Sequence, residues 1–226
     1  MTAKELFYFN LHTLDLTKSK SFFKEVLAWK IGGGSLGGHI SNTNTPGGVA
    51  PGGSSATVFF VAECLDSVLA NVQKNGGKVV KEETYDGIGR AAFCEDNQGT
   101  HFALQEPGTD EMKNHAKEVK KGSKHGDLFF FSLPVSDEEK AITFFGTVLG
   151  WKFSEKGKEG GRGVSNFVGP DGGLGCGRPG HHPSFWFRVD DVRKTSTLVT
   201  KLGGKVKDVF DAPEGTMCQC KDDQCV

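Results

Sequence analysis

The sequence predicts an α+β fold made by tandem duplication, and three observations predict it. Residues 15–30, DLTKSKSFFKEVLAWK, return as residues 137–152, DEEKAITFFGTVLGWK, so that Asp15 matches Asp137, Phe22 Phe144, Leu27 Leu149 and Trp29 Trp151 at one offset of 122 residues. The stretch QKNGGKVVKE around Gly76 likewise returns as TKLGGKVKDV around Gly203. A repeat this long lies outside solenoid periods, which end at about 50 residues. The third observation is size: 226 residues divide into two units of about 110, an ordinary domain length.

Each half follows one plan. The opening strands, Leu6–Thr13 and Leu128–Val135, alternate in character. The expected faces are Phe7, Phe9 and Leu11 against Tyr8, Asn10 and His12, and Phe129, Phe131 and Leu133 against Phe130, Ser132 and Pro134. Helices follow over Lys18–Ala28 and Glu139–Leu149, where apolar residues recur at helical spacing. Asp15 or Thr17 caps the first, and Ser136 or Asp137 the second. Glycine-rich hairpins come next, GGGSLGGH in one half and GPDGGLGCG in the other. Strands Thr57–Ala62 and Ser184–Val189 lead into second helices, Leu65–Lys74 and Val192–Lys201, which Gly76 and Gly203 stop. Strands near Lys78–Glu83, Gly89–Glu95 and His101–Glu106 complete the first half. The expected domains are 1–107 and 126–226, joined by the polar linker 108–125, in which a short helical turn is allowed.

The bulk composition excludes several classes. A formal net charge of −1 gives no electrostatic case for nucleic acid or an anionic membrane surface. The apolar runs, such as LFFFSL, fall far short of the roughly 20 residues that span a bilayer. The charged N-terminus MTAKELFYFN enters a strand pattern at once and reads as no signal peptide. The six cysteines are not needed as staples at this length, which points to a reduced, cytoplasmic protein.

The phrase L-x-[VTL]-x-D-x-x-x-[SA]-x-x-F-[FY]-x-x-V-L-[GA]-W, a helix ending in GGKV, and D-x-x-G-x-x-F-x-L resemble the glyoxalase / bleomycin-resistance / extradiol-dioxygenase (vicinal oxygen chelate) superfamily. The resemblance runs twice over nearly the whole chain. It implies tandem domains of two βαβββ modules each, with every sheet curled into a cup, helices outside and the ligand in the hollow. It also implies a divalent metal held by His, Gln or Glu on the first and last strands of the modules. Counting onto this chain, those positions carry Tyr8, Phe130, Ser184, Ala56 or Thr57, and Ala103. The turns GGVAPG and GGLGCG add no carboxylate. Such a set does not suit a borderline or hard divalent ion. His12 lies about 13 Å along its strand from the Tyr8 position and His101 about 7 Å from Ala103, at roughly 3.3 Å per residue. No cofactor is expected; a divalent metal at a displaced site is the alternative.

The expected ligand surface is therefore organic. Tyr8, Asn10, His12, His101 and Gln105 line the first cup, and Phe130, Ser132, Trp186 and Arg188 the second, suited to a small molecule. The competing reading is a cup filled by its own side chains. His12 is the candidate general base, although no carboxylate in the sequence is placed to orient it. Arg90 sits where the superfamily often places Arg; its plain role is a hairpin residue. His181 and His182 read as a solvated turn, and Cys218, Cys220 and Cys225 lack the paired spacing of a zinc site. The first half's EDNQGTHFALQEP holds a turn and a strand, whereas KDDQCV holds the turn alone. The second sheet is then expected to expose an edge, which invites a homodimer or another partner. The alternatives to a binding module are a metal-dependent lyase of the lactoylglutathione type or an extradiol-type dioxygenase, and an interaction protein pairing through that edge.

Overall fold

A computed structural model of the chain describes residues 5–33, 37–110, 114, 122–156, 161–176, 180–212 and 215–226. Most of the expected linker, with its possible helical turn, lies outside the described residues, as do parts of both glycine-rich stretches.

The first half runs β1 (Leu6–Thr13), α1 (Leu16–Leu27), β2 (Gly38–Ile40), β3 (Gly47–Pro51), β4 (Ser55–Val61), α2 (Leu65–Lys74), β5 (Lys78–Tyr85), β6 (Gly89–Glu95) and β7 (His101–Pro107). The second runs β8 (Leu128–Val135), α3 (Glu138–Leu149), β9 (Arg162–Gly163), β10 (Asp171–Cys176), β11 (Ser184–Phe187), α4 (Val192–Lys201), β12 (Lys205–Ala212) and β13 (Gly215–Lys221). The chain is α+β, and its halves repeat the βαβββ plan. In the first module a bridge from Ile31 to Ile40 stands in for one of the three strands after the helix.

Helix starts follow the caps. Asp15, not Thr17, accepts from the backbone N–H groups of Thr17 and Lys18, so α1 begins two residues before the expected Lys18. Asp137, not Ser136, caps α3 through the Lys140 N–H. Gly76 and Gly203 follow α2 and α4 with φ of +84° and +89°, a backbone that side chains resist. β11 ends at Phe187, two residues before the expected Val189.

The first half forms one seven-stranded sheet in the order β2-β3-β1-β4-β7-β6-β5. Among the described residues the second half forms two sheets, β11-β8-β10-β9 and β12-β13. Among the described residues no strand lies between β11 and β13, where β7 lies between β4 and β6 in the first half.

The alternation argument misplaces two phenylalanines. Leu6 pairs with Phe60 and Tyr8 with Phe59, so Phe7 is an extra residue in β1. The bulge turns Phe7 away from Phe9 and Leu11 and into a small cluster with Phe59, Ala91 and Ala103, beside Tyr8. β8 repeats the irregularity: Trp186 pairs with Phe130 but Phe187 with Leu128. Phe129, expected beside Phe131, is half-buried outside the common core and carries the Arg188 guanidinium 4.5 Å over its ring.

That core joins the halves. Phe9 of β1 packs against Phe185 and Phe187 of β11, at ring separations of 5.4 and 5.6 Å. Phe60 of β4 packs against Phe131 at 5.5 Å and edge-on against Trp151 at 5.0 Å. These are favoured aromatic geometries, worth about 0.5–1.5 kcal/mol per pair beyond burial. Across the same boundary α1 packs on α4 and α2 on α3. The opposite face of the first sheet carries Tyr8, Asn10 and His12.

Candidate functional site

That face is set by strand register. Tyr8, Asn10 and His12 of β1 lie opposite Phe59, Thr57 and Ser55 of β4. Phe59 lies beside Ala103 of β7, which faces Phe93 of β6, while His101 faces Glu95 and Gln105 faces Ala91. The structure thus brings all five predicted residues of the first cup to one face. It does not make them equal. Gln105 is 2% exposed and gives its side-chain N–H to the Glu106 carbonyl, so it is floor, not anchor. Tyr8 is stacked on His39 at 6.0 Å, and burial pushes its phenol up to about 12. Gly48 of β3 is small for a reason: a Cβ there would meet the Tyr8 hydroxyl at 2.3 Å.

His12 Nε2 lies 3.0 Å from Thr57 Oγ1. Burial lowers the His12 pKa, and a bond with the Pro51 backbone only partly offsets this.

The site also contains residues that sequence reasoning missed. His181 and His182 are both exposed, as the solvated-turn reading has it, yet His182 stands edge-on to His101 at 4.5 Å and His181 stacks on His101 at 6.0 Å. The His101 N–H donates to the His181 carbonyl at 2.7 Å, which fastens this turn of the second half to β7. Partial desolvation, then the charge of His101, lowers the pKa of the otherwise exposed His182. A hollow of about 330 Å³ opens here, lined by Thr57, Phe93, His101 and His182, with Lys81, Glu83 and Glu95 on its rim. Of the predicted residues only His101 lines it. A larger hollow of about 510 Å³ lies outside α3, away from both cups.

In the second half Phe130 and Trp186 form an edge-on pair at 5.6 Å, and Ser132 beneath them is buried. Arg188 is drawn to the Phe129 ring, a cation–π contact. Arg90 is no site residue: it bonds Asp66 at 2.8 Å, Glu82 at 3.2 Å and Glu106 at 3.5 Å, tying β6 to α2 and β5. All six cysteines are free thiols.

The metal positions implied by the resemblance can now be weighed by their chemistry. The choice between Ala56 and Thr57 falls to Thr57, since Ala56 is in the core. Ala103 offers no donor, Phe130 is engaged with Trp186, and Tyr8 is held protonated by burial. Among the described residues no three His, Cys, Asp or Glu side chains are grouped to hold an ion. The residues present do not fit the superfamily's metal.

Residues 128–160 match the family model described as bleomycin resistance protein-like N-terminal. An extradiol ring-cleaving dioxygenase from Brevibacterium fuscum superposes with a TM-score of 0.62 at 18% identity, over 89% of this chain and 62% of that one. Homoprotocatechuate 2,3-dioxygenase from the same organism, in complex with 3,4-dihydroxyphenylacetate, gives 0.64 at 17% identity, over 89% of this chain and 70% of that one. The 2,3-dioxygenase LapB from Pseudomonas sp. KL28 gives 0.67 at 13% identity, over 100% of this chain and 91% of that one. The chain has the glyoxalase / bleomycin-resistance / extradiol-dioxygenase fold. It spans about 62% of the length of the first of these dioxygenases. No curated protein sequence matches it.

Proposed function

We propose that this chain binds a small aromatic or amphipathic molecule in the cup of its first half, without the superfamily's metal centre. The observation that carries the reading is the hollow of about 330 Å³ between Phe93, Thr57, His101 and His182. Its volume falls within the range of small-molecule pockets, about 300–1,000 Å³. Phe93 supplies an aromatic wall, and the two imidazoles and the threonine hydroxyl supply hydrogen bonds. The Lys81–Glu83 ion pair at the rim, with Glu95 paired to Lys78, leaves little net charge for a strongly ionic ligand. The fold is compatible with ring-cleaving chemistry, but the donor set at the superfamily positions is not.

The deciding experiment is elemental analysis of tag-free protein before and after dialysis against Ni²⁺, Zn²⁺, Fe²⁺ and Mn²⁺, followed by a thermal-shift screen of small aromatics. The expected result is no stoichiometric metal and at least one ligand whose affinity falls roughly tenfold in Phe93→Ala, the cost of a lost ring contact. One tightly held ion per chain would overturn the metal-free reading. A ligand indifferent to both Phe93→Ala and His101→Ala would remove the site.

A further inference from the structure

The hollow of about 510 Å³ outside α3 has no part in either cup, and the repeat shows how it arises. The offset matches Lys20 of α1 to Ile142 of α3, and Lys24 to Gly146. Strand register matches Gly38 of β2 to Arg162 of β9: Gly38 faces Val49, Arg162 faces Leu174, and those two pair with Leu11 and Leu133. In the first half Lys20 crosses from helix to hairpin. Its Nζ donates to the Gly33 carbonyl at 3.2 Å, and its Cε would lie 2.9 Å from a Cβ on Gly38. In the second half the crossing runs the other way. Arg162 reaches from β9 to the first turn of α3, 2.9 Å from Glu138 and 3.3 Å from Glu139. The middle of the helix face is left to Ile142 and Gly146, which form an apolar bed with the half-buried Phe153.

Gly146 is not explained by the fold. Glycine inside a helix is destabilising relative to alanine, and a special backbone or a close approach is what normally justifies it. Its φ is not among the positive ones. Among the described residues a Cβ on Gly146 would meet only the Trp151 carbonyl oxygen, at 3.5 Å, an ordinary contact. The missing side chain therefore deepens the bed and does nothing else for the chain itself. The polar groups around the bed carry a sign. Glu139 is paired with Arg162, and Lys156 joins Arg162 on Glu138 at 3.8 Å. Lys152, exposed beside Phe153, makes no ion pair among the described residues, and the Thr147 hydroxyl on the helix side has no partner among them. One unpaired cation and one hydroxyl beside an apolar bed complement a carboxylate on an apolar chain.

We propose that the groove between α3 and β9 binds a small amphipathic carboxylate, with its chain on Ile142, Gly146 and Phe153 and its charge at Lys152. The hollow has the volume of a small-molecule pocket, about 300–1,000 Å³. The Lys152 ammonium is exposed and screened by salt, so it selects the sign of the ligand and the apolar chain supplies most of the affinity. This site is independent of the cup.

The probe is octanoate, titrated into the intact chain by isothermal calorimetry, with octylamine as the same chain of opposite charge. The expected result is saturable octanoate binding, at least tenfold weaker in Gly146→Leu, whose side chain would occupy the bed. Octylamine should bind at least threefold more weakly than octanoate, Lys152→Glu should reverse that order, and high salt should shrink the difference. Phe93→Ala, which alters the cup, should leave octanoate binding unchanged. Without ligand, Gly146→Ala should raise Tm by roughly 2–4 °C, because the helix gains and nothing is displaced. Any of four results would overturn the proposal: no saturable binding at millimolar octanoate, equal binding to Gly146→Leu, equal binding of octylamine, or loss of binding in Phe93→Ala, which would move the ligand to the cup. A lower Tm in Gly146→Ala would remove its main support by showing that the glycine serves the fold.

Discussion

Ala28 ends α1 with φ of +55°, in the left-handed region, and its backbone N–H reaches the Phe23 carbonyl. In the repeat the matching residue is Gly150, with φ of +68°. A β-carbon in that region costs about 1–2 kcal/mol, and glycine gives back part of the difference through its freer unfolded chain. Ala28→Gly is therefore expected to stabilise by about 0.5–1 kcal/mol, a rise in Tm of roughly 1–4 °C at this chain length. A lower Tm would show that the exposed methyl group makes a contact of value. The two lowered imidazoles set a pH dependence. His12 and His182 both titrate lower in the fold than their ordinary value because burial disfavours the charged form. The folded chain then binds fewer protons than the unfolded one. Their contribution is full above about pH 6.5 and is lost as the pH falls below it. Burial raises Asp96 and Asp222, which has the opposite sign but acts in the carboxylate range below. Tm is expected to fall from pH 7 to pH 5.5, and the double variant His12→Gln/His182→Gln to flatten that fall. An unchanged slope in the variant would assign the dependence elsewhere. Residues of this kind mark the limit of sequence reading. His12 was legible from its strand face, but His182 was not, because only the tertiary fold carries a turn of the second half to the His101 ring.

At the level of the element, β1 and β8 show what alternation can and cannot say. Their boundaries match the expectation residue for residue. The bulges at Phe7 and Phe129 were invisible, because both are as apolar as core residues and only the partner strand reveals the extra residue. GPDGGLGCG was read as a hairpin and GGVAPG as a turn, yet a glycine of each serves packing. A Cβ on Gly47 of β3 would meet the Phe9 ring at 2.2 Å, and one on Gly172 of β10 would meet Phe131 at 2.1 Å. In both halves the core aromatic of the first strand lies over a bare backbone. Gly47→Ala is expected to cost about 1–3 kcal/mol, the usual range for overpacking, with Gly172→Ala alike. Chemical denaturation measures both. If Phe9→Leu, which shortens the ring, recovers stability in the Gly47→Ala background, the clash is the cause. If it does not, the glycine serves its backbone.

For the molecule as a whole the duplication carries a reciprocity that no single half shows. The turn after β6 places Gln98 on the start of α3, where its Oε1 accepts from the Ser136 hydroxyl at 2.7 Å and its Nε2 donates to the Asp137 carbonyl at 2.9 Å. The turn after β13 places Gln224 on the start of α1, where its Nε2 donates to the Asp15 carbonyl and to Ser19 Oγ at 2.7 Å. Each half thus pins the first helix of the other, and the aromatic core lies between the two pins. The repeat predicted two units and a linker; a core that includes both sets of first strands favours one cooperative body. Gln98→Ala and Gln224→Ala are each expected to cost about 1–2 kcal/mol for lost part-buried hydrogen bonds. The glutamines share no bonding partner, so the double variant is expected to add the two costs to within about 0.5 kcal/mol. Calorimetry should show one transition throughout, with calorimetric and van't Hoff enthalpies equal. Two separated transitions, each moved by only one of the variants, would mean that the halves melt alone and that the shared core does not couple them.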